Sequence, residues 1–218
     1  MKRIFLAILV LLVSAAVMRA DSGVTTEPIG TDSVVWSQLG SPYTAIPNPF
    51  DFTTTDGVAG TGNYASGTGD VMQQTNTWSG NFAPNDYLNW TDLSAGAITL
   101  NFDQGYTQIG AQIETDDFGA FTAQICDNND SQCFTENGVS ADTNDGSAIY
   151  IGIESGTPIT SATFSITADD NLNDFAIDTV ELNGGSPTVT PEPSSLLLLG
   201  TGIAGLAGLI RRKFAKAL

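Results

Sequence analysis

Between Asp21 and Thr190 the chain contains no lysine, arginine or histidine, yet that stretch carries 23 of the chain's 24 carboxylates. All seven basic side chains lie at the ends: Lys2, Arg3 and Arg19 at the start, then Arg211, Arg212, Lys213 and Lys216. A domain built from this middle stretch has no side-chain salt bridges available to it. Its field repels nucleic acid and anionic lipid, so nucleic-acid binding is excluded. Four ways of relieving the repulsion remain: bound cations, external salt, backbone N–H donors, or carboxylates spread widely in water. Two readings stay open here, a dispersed acidic surface and a structural Ca²⁺ site built from hard oxygen ligands. High net charge argues for disorder, but regularly spaced Trp, Phe, Tyr, Ile and Val supply a core and favour a folded domain.

The two basic ends read as export signals. Met1-Lys2-Arg3 precedes an unbroken apolar run from Ile4 to Val13, and small residues follow at Ser14, Ala15 and Ala16. Residues 1–20 therefore read as a Sec-type signal peptide, cleaved after Ala16 or after Ala20, with the Sec translocon as partner. An uncleaved anchor is the alternative, though the run is short for a span. At the other end Pro191-Glu192-Pro193 leads through Ser194-Ser195 into the apolar stretch 196–210, together a transmembrane helix over 194–210, and then the basic cluster Arg211-Arg212-Lys213, the start of a basic end over 211–218. The prolines keep the triplet extended. Seventeen helical residues would reach roughly 25 Å, a minimal membrane span, with the basic end held cytoplasmic.

This tail, over 190–218, resembles the PEP-CTERM sorting signal of exported bacterial proteins. The resemblance implies recognition of Pro191, Glu192 and Pro193 by an exosortase-like membrane enzyme and removal of the tail. It also implies a transient inner-membrane stage and delivery to the cell envelope, surface or extracellular polysaccharide matrix. A plain, unprocessed C-terminal anchor is the alternative. The three parts are thus a signal peptide (1–20), an acidic domain (21–186) and the sorting signal (187–218).

Within the middle, strand-like segments recur between turns: 71–77, 97–102, 107–114, 118–126, 148–154, 159–167 and 175–182, with weaker signals at 34–39 and 50–54. Apolar and polar residues alternate in Phe164-Ser165-Ile166-Thr167 and from Phe175 to Leu182, as antiparallel sheets with one wet face require. Asp116-Asp117-Phe118-Gly119 and Asn183-Gly184-Gly185 are turn chemistry. The expected fold is an all-β antiparallel sandwich, jelly-roll-like, with an immunoglobulin-type sandwich second. The segments 78–91, 110–113 and 118–123 resemble parts of other exported proteins bearing the same tail, a resemblance that carries no activity with it.

Cys126 and Cys133, the only cysteines, read as a structural disulfide in an exported domain, worth about 2 kcal/mol through restriction of the unfolded chain. Three acidic groups are candidate Ca²⁺ ligands: Asp127, Asn129 and Asp130; Asp142, Asn144 and Asp145; and Asp169, Asp170, Asp174 and Asp178. By fold analogy the third is preferred. Zinc is improbable without histidine. Trp78, Tyr87 and Trp90, set around Gly80, Pro84 and Asn85, are the candidates for stacking on sugar rings, against a core role for each. Without His, Lys or Arg, no Ser-His-Asp triad, Schiff-base lysine or phosphate clamp can be built. The leading expectation is a non-enzymatic surface or matrix protein that requires no cofactor. A Ca²⁺-assisted carbohydrate-binding module comes second, and a two-carboxylate β-sandwich glycosidase third.

Overall fold

Alternation of apolar and polar side chains sets both faces of the sheets. The computed structural model describes residues 21–27, 30–92, 96–168 and 174–184. The expectations for 1–20 and for the tail from 187 onward lie outside them. The strands are β1 (Ser22–Val24), β2 (Asp32–Val34), β3 (Ala45–Ile46), β4 (Phe50–Thr53), β5 (Ala59–Tyr64), β6 (Gly69–Gln73) and β7 (Tyr87–Trp90). They continue with β8 (Ile98–Thr115), β9 (Gly119–Asp127), β10 (Gln132–Ser140), β11 (Ile149–Ala168), β12 (Phe175–Ile177) and β13 (Val180–Asn183). A 3₁₀ turn, Trp36–Leu39, is the one helical element among the described residues.

Two long strands organise the rest. In β8, Ile98, Leu100 and Phe102 face the core in the first half, whereas Ile109, Ala111 and Ile113 do so in the second. Even positions give way to odd ones, so the strand turns over between 103 and 108. The same switch occurs in β11, from Ile151 and Ile153 to Ala162, Phe164 and Ile166. There the β8–β11 register shifts between Glu154 and Ile159 and again before Ser161. Such irregularities bend and twist a strand, which lets it pass from one sheet into another. Pro158, which has no N–H to give a ladder, falls inside the shifted stretch.

The halves of these strands nucleate two sheets. The first half of β8 pairs with β5 and with residues 161–164 of β11, and that sheet extends through β9 to β10 and through β5 to β4. The second half of β8 pairs with residues 149–154 of β11, flanked by β1. On its other edge it pairs with β12 and β13, which lead to β7, β6, β3 and β2. Every pairing between these strands is antiparallel. The order β10-β9-β11-β8-β12-β7-β6-β3 is non-sequential, as in a jelly-roll-like path rather than a meander. The fold is the all-β antiparallel sandwich expected from the sequence.

The core lies between the sheets. Trp36 is completely buried, edge-on to Phe50 at 6.3 Å, and its indole N–H donates to the Asp178 carbonyl at 2.8 Å. Tyr64 of β5 reaches across to Asn89 of β7, its hydroxyl donating to Oδ1 at 2.6 Å.

Some elements depart from expectation. Segments 97–102 and 107–114 are one strand, as are 148–154 and 159–167, because the ladder continues through the parity break that reads as a gap. Residues 36–39 wind into the 3₁₀ turn instead of extending. Strand β6 stops at Gln73 because Thr75 takes a left-handed φ of 66°. Strands β5, β7 and β10 go beyond what the sequence pattern predicts.

Candidate functional site

Burying a carboxylate without a cation demands hydrogen-bond donors or a proton. Asp32 in β2 takes the first course. Its Oδ1 accepts from the Ser33 and Asp56 N–H groups, both at 2.8 Å, and from the Thr55 hydroxyl at 2.9 Å; Oδ2 accepts from the Tyr106 hydroxyl at 2.7 Å. Burial acts to raise its pKa, but donors from Thr54, Tyr106, Asp56 and Thr55 outweigh it and hold the carboxyl below its ordinary value. Glu114 of β8 is equally buried, with Oε2 accepting the Asn81 N–H at 2.7 Å and Oε1 the Ser140 hydroxyl at 2.6 Å. There desolvation wins over those donors and pushes the carboxyl up. Asp178, following β12, faces Asp86. Burial first and the Asp86 charge second push it up to about 7.

Two of the four residues of the preferred metal cluster, Asp174 and Asp178, are described. Asp169 and Asp170 lie outside the described residues. Asp174 and Asp178 flank the three residues of β12, about 13 Å of extended backbone, and their surroundings differ. Asp174 is buried and accepts the Thr91 hydroxyl at 3.2 Å, whereas Asp178 pairs with Asp86. The acidic loop 142–145 satisfies itself, Asn144 donating to Asp142 at 2.9 Å and Thr143 to Asp145 at 2.6 Å. Among the described residues, the three acidic groups close enough to share an ion are Asp21, Asp127 and Asp130, with one carboxylate oxygen from each within 4.8 Å of the others. Two of these stand in the first of the three sequence groups; Asp21 joins them only through folding.

In the aromatic triad, the expectation for Trp78 is corrected. Trp78 is 4 % exposed and forms a second small core with Phe82, Leu88 and Met72. Its ring lies 6.5 Å from Phe82 and 6.1 Å from Trp90, the latter edge-on. Tyr87 and Trp90 are half-buried. The reversal at Thr75, closed by the Trp78 N–H donating to the Gln73 carbonyl at 3.0 Å, tucks the indole inward. The glycine and proline that read as an exposed loop instead let the chain fold over it. Among the described residues, the most exposed large apolar side chains are Tyr43 (70 %), Val139 (63 %) and Phe118 (59 %). Phe118 carried a signal, an aromatic placed directly after the turn residues Asp116-Asp117.

Val139 borders a groove of about 580 Å³ where β9 and β10 meet the ends of β11, lined also by Phe121, Thr122, Asn137, Ser147 and Thr167. It combines one aromatic edge with hydroxyl and amide groups and has no charged side chain in its wall. Beyond it, Cys126 and Cys133 stand directly opposite each other in the β9–β10 ladder and form the expected disulfide.

Comparison with known proteins adds to this picture at the C-terminus. Residues 189–213 match the PEP-CTERM protein-sorting motif. The chain carries a PEP-CTERM sorting tail. The PEP-CTERM tail marks it as an exported protein sorted to the cell envelope or surface. No curated protein matches the chain. Among solved structures it is similar to CsCBM6-3 from Clostridium stercorarium in complex with cellobiose, at 14 % identity and a TM-score of 0.24. That alignment covers 74 % of this chain and 92 % of the other.

Proposed function

We propose that the protein is a non-enzymatic component of the bacterial surface or extracellular matrix, delivered as a folded acidic sandwich after an exosortase-type enzyme removes its tail. The observation that carries this reading is the PEP-CTERM motif at 189–213, attached to a domain with no Lys, Arg or His between residues 21 and 190. Such a domain lacks histidine and lysine bases, the nucleophile activation they provide, and phosphate clamps. Its uniform negative charge keeps copies apart in solution and leaves them responsive to external cations.

Processing is tested by mass spectrometry of the protein recovered from envelope and medium. The expected product ends close to Pro191, and replacing Pro191, Glu192 and Pro193 by alanine retains the tail and holds the chain in the membrane fraction. Equal processing of the parent and the triple variant would sink the reading. A second reading, recognition of an extracellular polysaccharide, is supported by the uncharged groove beside Val139 rather than by Trp78. Polysaccharide pull-down with Val139→Asp separates the two: loss of capture supports recognition, and no capture by the parent protein removes it.

A further inference from the structure

The carboxyl group of Asp127 has one oxygen buried without a hydrogen-bond donor. Asp127 is fully buried; its Oδ1 accepts the Asn129 N–H at 2.7 Å, while Oδ2 has no hydrogen-bond partner. Asp21 Oδ2 is likewise buried without a partner. Together with exposed Asp130 these residues place three carboxylate oxygens within 4.8 Å of one another. Burial, with the charges of Asp130 and Asp21 adding to it, pushes the Asp127 carboxyl up.

The cluster is held from several directions. Strand β1, paired with residues 152–154 of β11, fixes the backbone beside Asp21. The Cys126–Cys133 bond closes the hairpin that carries Asp127 and Asp130. Asn129 is tied to β11, its Oδ1 accepting the Thr160 N–H at 3.0 Å and its Nδ2 donating to the Thr160 hydroxyl at 2.8 Å. Asn128 donates to Ser161 and Thr163, both at 2.9 Å. The amide side chains of the loop are thus already engaged, and the carboxylates are what remains.

We propose that Asp21, Asp127 and Asp130 bind a divalent cation, Ca²⁺ by chemical fit, which ties the N-terminal strand to the disulfide hairpin. Three negative oxygens with no basic side chain between residues 21 and 190 call for an external cation. An all-oxygen set completed by water suits Ca²⁺, which accepts six to eight ligands in irregular geometry, better than Mg²⁺ with its strict octahedron.

The test is calorimetric titration and thermal unfolding of the mature protein with calcium chloride, against the same protein in chelator. We expect single-site binding at about 10⁻⁴–10⁻³ M, the range of extracellular calcium modules, and a melting temperature that rises with calcium. Asp130→Asn, at an exposed position, should weaken binding about tenfold by removing one ligand charge, with the calcium-free melting temperature no lower than the parent's because one repelling charge is gone. Asp142→Asn, in the other acidic loop, should leave affinity unchanged. No saturable binding up to about 10 mM, well beyond that range, would overturn the proposal, as would equal weakening by Asp130→Asn and Asp142→Asn. A cation supplied by the chain itself, Arg19 or the α-ammonium of a chain beginning at Asp21, would give the same flat titration and overturn the proposal equally.

Discussion

Asp32 and Asp178 bury the same functional group in one domain and arrive at opposite electrostatics. Around Asp32 the backbone of Ser33 and Asp56 and the hydroxyls of Thr55 and Tyr106 converge, so the ion is favoured over the acid. At Asp178 burial and the charge of Asp86 outweigh the donors of Thr179, and the acid is favoured over the ion. In a fold without basic side chains, then, donor geometry rather than countercharge decides whether a buried acid stays ionised.

The two corners make opposite predictions about pH. A carboxyl whose folded pKa is lowered contributes stability above its unfolded value near 3.8, and that contribution disappears as pH falls through the folded value. One whose folded pKa is raised contributes stability below 3.8 that is lost as pH rises towards about 7. Asp32→Ala should have the largest effect, a loss of about 3 kcal/mol at pH 7 because the Tyr106 hydroxyl and two N–H groups lose their acceptor. Denaturant unfolding should show that loss shrinking below pH 4, and an undiminished loss there would break the comparison. Asp178→Asn should move the other way, stabilising by about 2 kcal/mol at pH 8 because no buried ion then faces Asp86. Its melting temperature should be flatter than the parent's between pH 4 and 7; a destabilised variant at pH 8 would contradict the assignment. Ser140→Ala tests the intermediate case at Glu114. Losing one hydroxyl donor should cost about 1 kcal/mol at pH 7 and less below pH 4, where Glu114 is neutral and can donate a proton itself.

What the sequence disclosed follows from which residues had to be apolar. Strand β9 and the second half of β11 bury alternate side chains, and their pattern is plain in the letters, whereas β12 buries all three of its residues. Strand β5 is hidden because Gly60 and Gly62 sit directly opposite Phe52 and Phe50. A Cβ added at either glycine would come within 2.3 Å of the Phe52 ring or 2.1 Å of the Phe50 ring. The space is filled from the neighbouring strand, so the strand's own residues carry no hydrophobic signal. Strand β10 is hidden for another reason: it lies at an edge and leaves most of its side chains in water.

The candidate sites divide along the same line. Asp127 and Asp130 stand together in one loop and are visible as a group. Asp21 reaches them only because β1 pairs with β11, a long-range fact that no local pattern records. The denser run ending at Asp174 and Asp178 stands out by proximity in sequence, yet extended backbone carries those two apart. Trp78 misleads through its neighbours, since glycine and proline beside an aromatic mark a tight reversal as readily as an open loop.

Strands β8 and β11 have a mechanical consequence. Because each runs without interruption through both sheets, the sandwich has no seam along which its layers can part while their ladders stay intact. Force or heat applied to one layer is passed along covalent backbone to the other. A domain built this way resists shear as one body until it fails, and does not hinge open beforehand.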